Sequence, residues 1–292
     1  RQLGGCSEVI VPYLTGREML SEFKITRWAI DFRAMDVLQA KRFDRAFRHV
    51  EARVLSSLRT RLAEAKSDAD NSQIALTEHL ERWWQFWNRR DGFNRATNGL
   101  RRFIVCSRTS RRPVMVFLDV QICPSDLLQT FAFEDDYSYG VLQSHAHFAW
   151  YRTSSRLKVE TDLRYSVRDV FDTFPWPQTP TKKQIRAVAH AGREIRRIRD
   201  AALPTIKGGL RALYRTLEFP GDNPLKDAHA NLDAAVLDAY GFKPKKDLLA
   251  QLLELNLSVS AKIDRGEAVT SPGVPPSYGD PADLITDDCI KP

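Results

Sequence analysis

Apolar positions change their spacing several times along the chain, and each change predicts an element. Two short apolar runs come first, a strand from Glu8 to Pro12 and another around Trp28 to Phe32, with a Thr15-Gly16-Arg17 turn between them. From Asp36 the period is helical: Phe43, Phe47, Val50, Val54, Leu58 and Leu62 recur at steps of three and four and make one stripe. The Ser, Asp and Asn residues clustered from Ser67 to Ser72 predict where this long helix breaks. Phe103–Cys106 and Val114–Leu118 read as strands joined by a basic hairpin loop, Ser107 to Pro113. Glu134, Asp135 and Asp136 predict a solvated turn, followed by an apolar and aromatic run, Tyr139 to Trp150, read as an anchoring strand. After Pro177 and Pro180 the period is helical again, with Ile185, Val188, Ile195 and Ile198 on one face and Arg186, His190, Arg193 and Arg197 on another. A last helix spans Asp247 to Ile263, and the aperiodic Pro-, Gly- and Asp-rich tail after Gly266 predicts an extended arm or disorder.

Composition narrows the partner. The 292 residues exceed the usual single-core size, and 43% hydrophobic residues suffice for a real core. A net charge of +7 favours a polyanion, either nucleic acid or an anionic surface. No apolar run approaches the roughly 18 residues that span a bilayer. With no secretory leader pattern either, no membrane partner and a cytoplasmic location are expected. The four cysteines lie far apart without a C-x-x-C pair, which fits reduced thiols rather than zinc or a disulfide framework. The chain opens on Arg1 rather than Met and reads as a piece of something longer.

Arginines carry the candidate chemistry. From Trp83 to Arg112 the only acid is Asp91, against Arg89, Arg90, Arg95, Arg101, Arg102, Arg108, Arg111 and Arg112. Guanidinium groups read guanine bidentately or hold phosphates, and Ser, Gln and His add adaptable hydrogen bonds. Candidate base readers lie in the hairpin loop (Arg108, Arg111, Arg112) and in the polar middle from Thr153 to Arg168 (Ser155, Arg156, Lys158, Arg164, Arg168), with Ser144, His145 and Arg152 beside them. Phosphate contacts fall to Arg89, Arg90, Arg101 and Arg102 and to the ridge Arg186, Arg193 and Arg197. For each arginine, solvation or pairing with an acid competes with this role. Trp83, Trp84 and Trp87 suit core packing better than base stacking. His145 and His147, two apart on the expected strand, are weighed as metal ligands but lack a third; edge packing or a hydrogen bond to DNA competes. No Ser-His-Asp order or Gly-x-Ser-x-Gly elbow is present, so nucleophilic hydrolysis has no support.

Tyr139-Gly140-Val141-Leu142-Gln143-Ser144, His147-Phe148-Ala149-Trp150, Ser155-Arg156-Leu157-Lys158, Arg164-Tyr165-Ser166 and Thr173-Phe174-Pro175-Trp176-Pro177 stand in an order and spacing that carry a resemblance. Together they resemble the target-recognition region of large single-chain adenine-N6 DNA methyltransferases of restriction-modification and phage-defence systems. Pro12–Glu18 and Arg27–Phe32 resemble the family's connector, and the stretches from Gly209 to Phe242 its C-terminal helical module. The resemblance implies an α+β fold: a connector at 1–80, a target-recognition domain at 81–177, a helical module at 178–263 and a tail at 264–292. It implies double-stranded DNA as partner, together with an N-terminal methyltransferase domain of the same parent that holds S-adenosylmethionine.

No cofactor is expected in this chain. The glycine-bearing cofactor loop and the Asn/Asp/Ser-Pro-Pro-aromatic loop that accepts a flipped adenine are both missing, so no catalysis is expected from it alone. Glu22-Phe23-Lys24 and Glu64-Ala65-Lys66 match only half of a magnesium nuclease motif and read as solvated charge pairs. The alternative function is a protein-interaction or specificity subunit that docks a partner through its helical module.

Overall fold

The computed structural model describes residues 6–64, 71–159 and 162–292, with side chains for all of these except 71, 72, 156–159 and 162. The elements in order are β1 (Ile10–Leu14), α1 (Gly16–Ser21), β2 (Arg27–Ile30), α2 (Val37–Lys41), α3 (Asp44–Val50), α4 (Ser56–Glu64), α5 (Asn71–Leu80) and α6 (Asp91–Ala96). They continue with β3 (Arg102–Ser107), β4 (Thr109–Ser110), β5 (Val116–Asp119), β6 (Cys123–Pro124), β7 (Leu128–Phe131), α7 (Asp136–Gln143), α8 (His145–Ser154), β8 (Arg156–Val159) and β9 (Asp162–Arg164). The helices α9 (Lys182–Ala202), α10 (Gly209–Arg215), α11 (Pro224–Tyr240) and α12 (Leu248–Asp264) follow. This is the expected α+β class. The chain forms two compact units, one of residues 1–13, 26–98 and 121–123, the other of 14–25, 99–120 and 124–292. The division expected at 177 therefore falls inside the second unit.

The first unit is built on the helical stripe. Asp36 accepts the Gln39 N–H and the Gln39 side chain accepts the Asp36 N–H, a capping box that starts α2. The expected single long helix is interrupted at Arg42–Phe43 and carries a π turn at Glu51–Leu55 between α3 and α4. The stripe survives these breaks: Phe47 and Leu58 are buried. The break expected at Ser67 to Ser72 lies largely outside the described residues. Phe32, Phe47, Ala40, Ala46 and Val9 form the core, with Trp83 and Trp84 packed against it. The Trp84 indole donates to the Met35 carbonyl at 2.9 Å, so these tryptophans hold the core, the role density alone favoured.

In the second unit, β5-β3-β7 form an antiparallel sheet with Phe103 opposite Leu118 and Val105 opposite Thr130. Every residue of β3 from Arg102 to Cys106 is buried, and burial of a side chain such as Phe103 or Ile104 is worth about 1.5–3 kcal/mol. A second small sheet, β4-β9-β8, pairs Thr109 with Arg164 and Arg156 with Arg164. The anchoring stretch Tyr139 to Trp150 is not a strand. It forms α7 and α8, because Asp135 accepts the Ser138 N–H and Ser144 accepts the His147 N–H, and each cap starts a helix that the aromatic content obscures. Gly140 and Gly192 let α7 cross α9 closely: a Cβ on Gly140 would lie 2.7 Å from Val188 Cγ1 and 2.9 Å from the Val188 carbonyl oxygen.

The tail is neither free nor disordered. Ile290 makes a parallel bridge to Leu118, with its N–H on the Phe117 carbonyl at 2.9 Å, and Tyr278, Leu284 and Ile290 are buried. Apolar anchors spaced irregularly along a Pro- and Asp-rich segment leave no period to detect, which is why composition misread it.

Candidate nucleic-acid interface

Burial separates the arginines into those that build the fold and those that face outward. Arg102 is 1% exposed and donates to Asp136 at 2.7 Å and to Asp288 at 3.0 Å, with its guanidinium stacked on Phe117 at 3.6 Å. Arg193 and Arg196 also reach Asp136, which has no exposure, and Arg196 reaches Asp288. Burial alone would raise the Asp288 carboxyl, but the Arg196 guanidinium overrides this and holds it at about 2. Arg199, 3% exposed, donates to the Met115 carbonyl and to the Tyr139, Gln143 and Tyr214 side chains.

Sequence reasoning missed Arg196 and Arg199, although Arg199 lies four after Ile195 and Arg196 four after the buried Gly192, both on the buried side of α9. It also took Asp135 and Asp136 for a solvated turn. Both are buried, because one caps α7 and the other is the hub on which arginines from β3 and α9 converge. Arg102 is thus a core residue rather than a surface phosphate contact.

The expected ridge on α9 is paired throughout. Arg186 reaches Asp283 at 3.1 Å and Tyr278, Arg193 reaches Asp136, and Arg197 reaches Glu194 at 2.6 Å. Arg101 pairs with Asp287 at 3.1 Å while its backbone N–H donates to Glu134. The tail thus supplies acids to α9 and to the start of β3.

Other arginines of the second unit make no ion pair among the described residues. The Tyr151 hydroxyl lies 2.7 Å from the Ser110 carbonyl and 2.8 Å from that of Leu163, which ties α8 to β4 and β9. Arg108 donates to the Asp126 carbonyl at 2.9 Å, and Arg111 and Arg112 follow β4 on the surface. Arg112 stacks on the Phe148 ring at 4.8 Å, and Arg152 lies 5.9 Å from the same ring. Among the described residues, Arg112, Arg152, Arg164 and Arg168 make no ion pair within 4 Å, and all are exposed.

Arg112, Ser144 and His145 line one cleft of about 270 Å³, together with Phe148, Lys226, His229 and Asp233. Asp233 accepts the His145 N–H at 2.7 Å; burial raises its carboxyl while that N–H opposes the rise. Ser144 is buried as the α8 cap, and the Ser155 hydroxyl is shielded from solvent, so neither reaches outward. The side chains of Arg156 and Lys158 lie outside the described residues.

His147 is not a metal ligand. Its Nδ1–H donates to the Leu142 carbonyl at 2.7 Å and its Nε2 accepts from the Tyr165 hydroxyl at 2.8 Å, the one tautomer these partners allow. Burial drives its pKa down to about 4 against that carbonyl bond. Among the described residues no group of three or more His, Cys, Asp or Glu could hold a metal.

In the first unit, Arg89 pairs with Asp91 at 2.7 Å, and Arg90 takes a left-handed conformation (φ 56°) with its guanidinium 3.8 Å from Cys123 Sγ. Arg82, Trp87, Arg89 and Arg90 line an open cleft of about 490 Å³.

A sheet-and-helix body with exposed arginines beside an aromatic ring suits contact with a polyanion, and comparison with known proteins identifies the family. The family described as the MmeI target recognition domain matches residues 5–178, more than half of the chain, and the chain belongs to that family. The solved structure of the type IIL restriction-modification enzyme MmeI in complex with DNA has the same fold, with a TM-score of 0.68 over 88% of this chain and 32% of that one, at 24% identity. DNA methyltransferase A of Bacillus subtilis (strain 168) is 33% identical over 135 residues, 45% of this chain. The chain spans 14% of that protein's length, so both relatives are much longer.

Proposed function

We propose that this chain reads the target site in double-stranded DNA for a longer adenine-N6 methyltransferase, as part of a restriction-modification or phage-defence system. The observation that carries the reading is a set of exposed arginines, Arg112, Arg152, Arg164 and Arg168, that make no ion pair within 4 Å among the described residues, in a member of a target-recognition family. Unpaired guanidinium groups attract phosphates and fit guanine edges, whereas the paired arginines of α9 are already neutralised. The family match over 5–178 favours recognition over a protein-docking module.

The catalytic domain, with S-adenosylmethionine, belongs to the part of the parent that precedes the recognition module, and the assembly works in the cytoplasm. No helix among the described residues is long and apolar enough to cross a membrane. The test is duplex binding by this chain between 50 and 200 mM salt, a range over which 6–10 phosphate contacts cost roughly 10³–10⁵ in affinity. Salt-independent binding would count against the reading.

A further inference from the structure

The cleft that gathers Arg112 and His145 also holds one carboxylate, Asp233, contributed by α11. A surface built only to hold phosphates gains nothing from an acid, since a carboxylate there repels the backbone it faces. One oxygen of Asp233 is fixed by the His145 N–H at 2.7 Å, so the group is held in one orientation. Its second oxygen has no hydrogen bond among the described residues, and the side chain lines the cleft. Next to it, Arg112 is steadied by the Phe148 ring at 4.8 Å.

An oriented acceptor beside an oriented guanidinium matches one base pair in the major groove. Cytosine presents its N4 amine as a donor, its partner guanine presents O6 and N7 as acceptors, and these groups lie side by side. Resting on the DNA-reading function above, we infer that Asp233 is a specificity-determining residue that accepts the N4 amine of a cytosine, with Arg112 on the paired guanine. Site choice then extends beyond the hairpin loop and the polar middle into the C-terminal helices.

The substitution Asp233→Asn separates this role from a merely structural one. An asparagine carbonyl still accepts the His145 N–H, so the start of α8 is kept, but the free acceptor becomes an amide donor. The experiment is selection from a randomised duplex pool by this chain and its Asp233→Asn and Arg112→Lys variants, with melting temperatures recorded alongside. The wild type enriches a C·G pair at one position. Both variants relax that same position by roughly fivefold or more, keep the other positions and melt as the wild type does.

An unchanged profile in Asp233→Asn overturns the inference while leaving the DNA-reading function intact. Should Asp233→Asn fail to fold, Arg112→Lys decides: relaxation at the C·G position supports the pairing, and an unchanged profile overturns it. Absence of duplex binding by the wild type overturns the inference and the proposed function together.

Discussion

On α9, Arg193 and Arg196 reach Asp136, Arg186 reaches Asp283 and Arg197 reaches Glu194, whereas on α8, β9 and the turn beyond it Arg152, Arg164 and Arg168 meet no carboxylate among the described residues. Both sets look alike along the sequence, as basic residues at surface spacing. Their partners distinguish them, and apart from Glu194 those partners are distant in sequence: Asp136 starts α7, and Asp283 and Asp288 sit in the tail. A guanidinium paired and desolvated at Asp136 contributes to the fold, while one left without an acid is available to a polyanion. The basic stretches of this chain therefore contain a set paired with carboxylates and an exposed set without ion pairs, and the proposed recognition role falls to the second.

The comparison breaks most visibly at its hub. Asp136→Asn leaves Arg102, Arg193 and Arg196 facing a neutral group, and urea denaturation should show a loss of about 3–5 kcal/mol. Next in size is a pH effect. His147 is neutral in the fold with a pKa of about 4 against 6.5 when free, so below about pH 6.5 the unfolded chain takes up a proton that the folded one refuses. Stability is full above that value and falls as pH drops towards 4, by on the order of 3 kcal/mol from this group. His229, which burial and then Arg199 and Arg112 hold at about 3, acts in the same direction. A His147→Gln variant should flatten the stability profile between pH 6.5 and 4.

Smaller still, Gly140→Ala forces a methyl group against Val188 at the crossing of α7 and α9 and should cost about 1–3 kcal/mol in thermal melting. The exposed set gives the smallest stability change and the clearest functional one. Arg152→Ala, Arg164→Ala and Arg168→Ala should each stay within about 0.5 kcal/mol of the parent in stability. Each that contacts a phosphate should lower the salt slope of duplex binding by about 0.9.

Periodicity made some of this legible. The stripe from Phe43 to Leu62, the strands at 103–106 and 114–118 and the helix from Lys182 follow the apolar spacing, as the α+β class does. Caps were harder to see: Asp135 and Ser144 start α7 and α8, yet the aromatic run after them reads as a strand. The fate of the arginines was not legible, since nothing local announces that Arg102 will meet an aspartate 186 residues away. Of the expected readers, Arg112 and His145 do share a cleft, and Asp233, which completes it, lies 88 residues from His145.

The most direct measurement is salt-dependent site selection by two stable variants of this chain, one with Arg112, Arg152, Arg164 and Arg168 changed to Ala and the other with Arg186 and Arg197 changed to Ala. The account predicts that the first loses most of its salt slope and its sequence preference while the second keeps both. Equal losses in the two variants, or loss confined to the second, would contradict it.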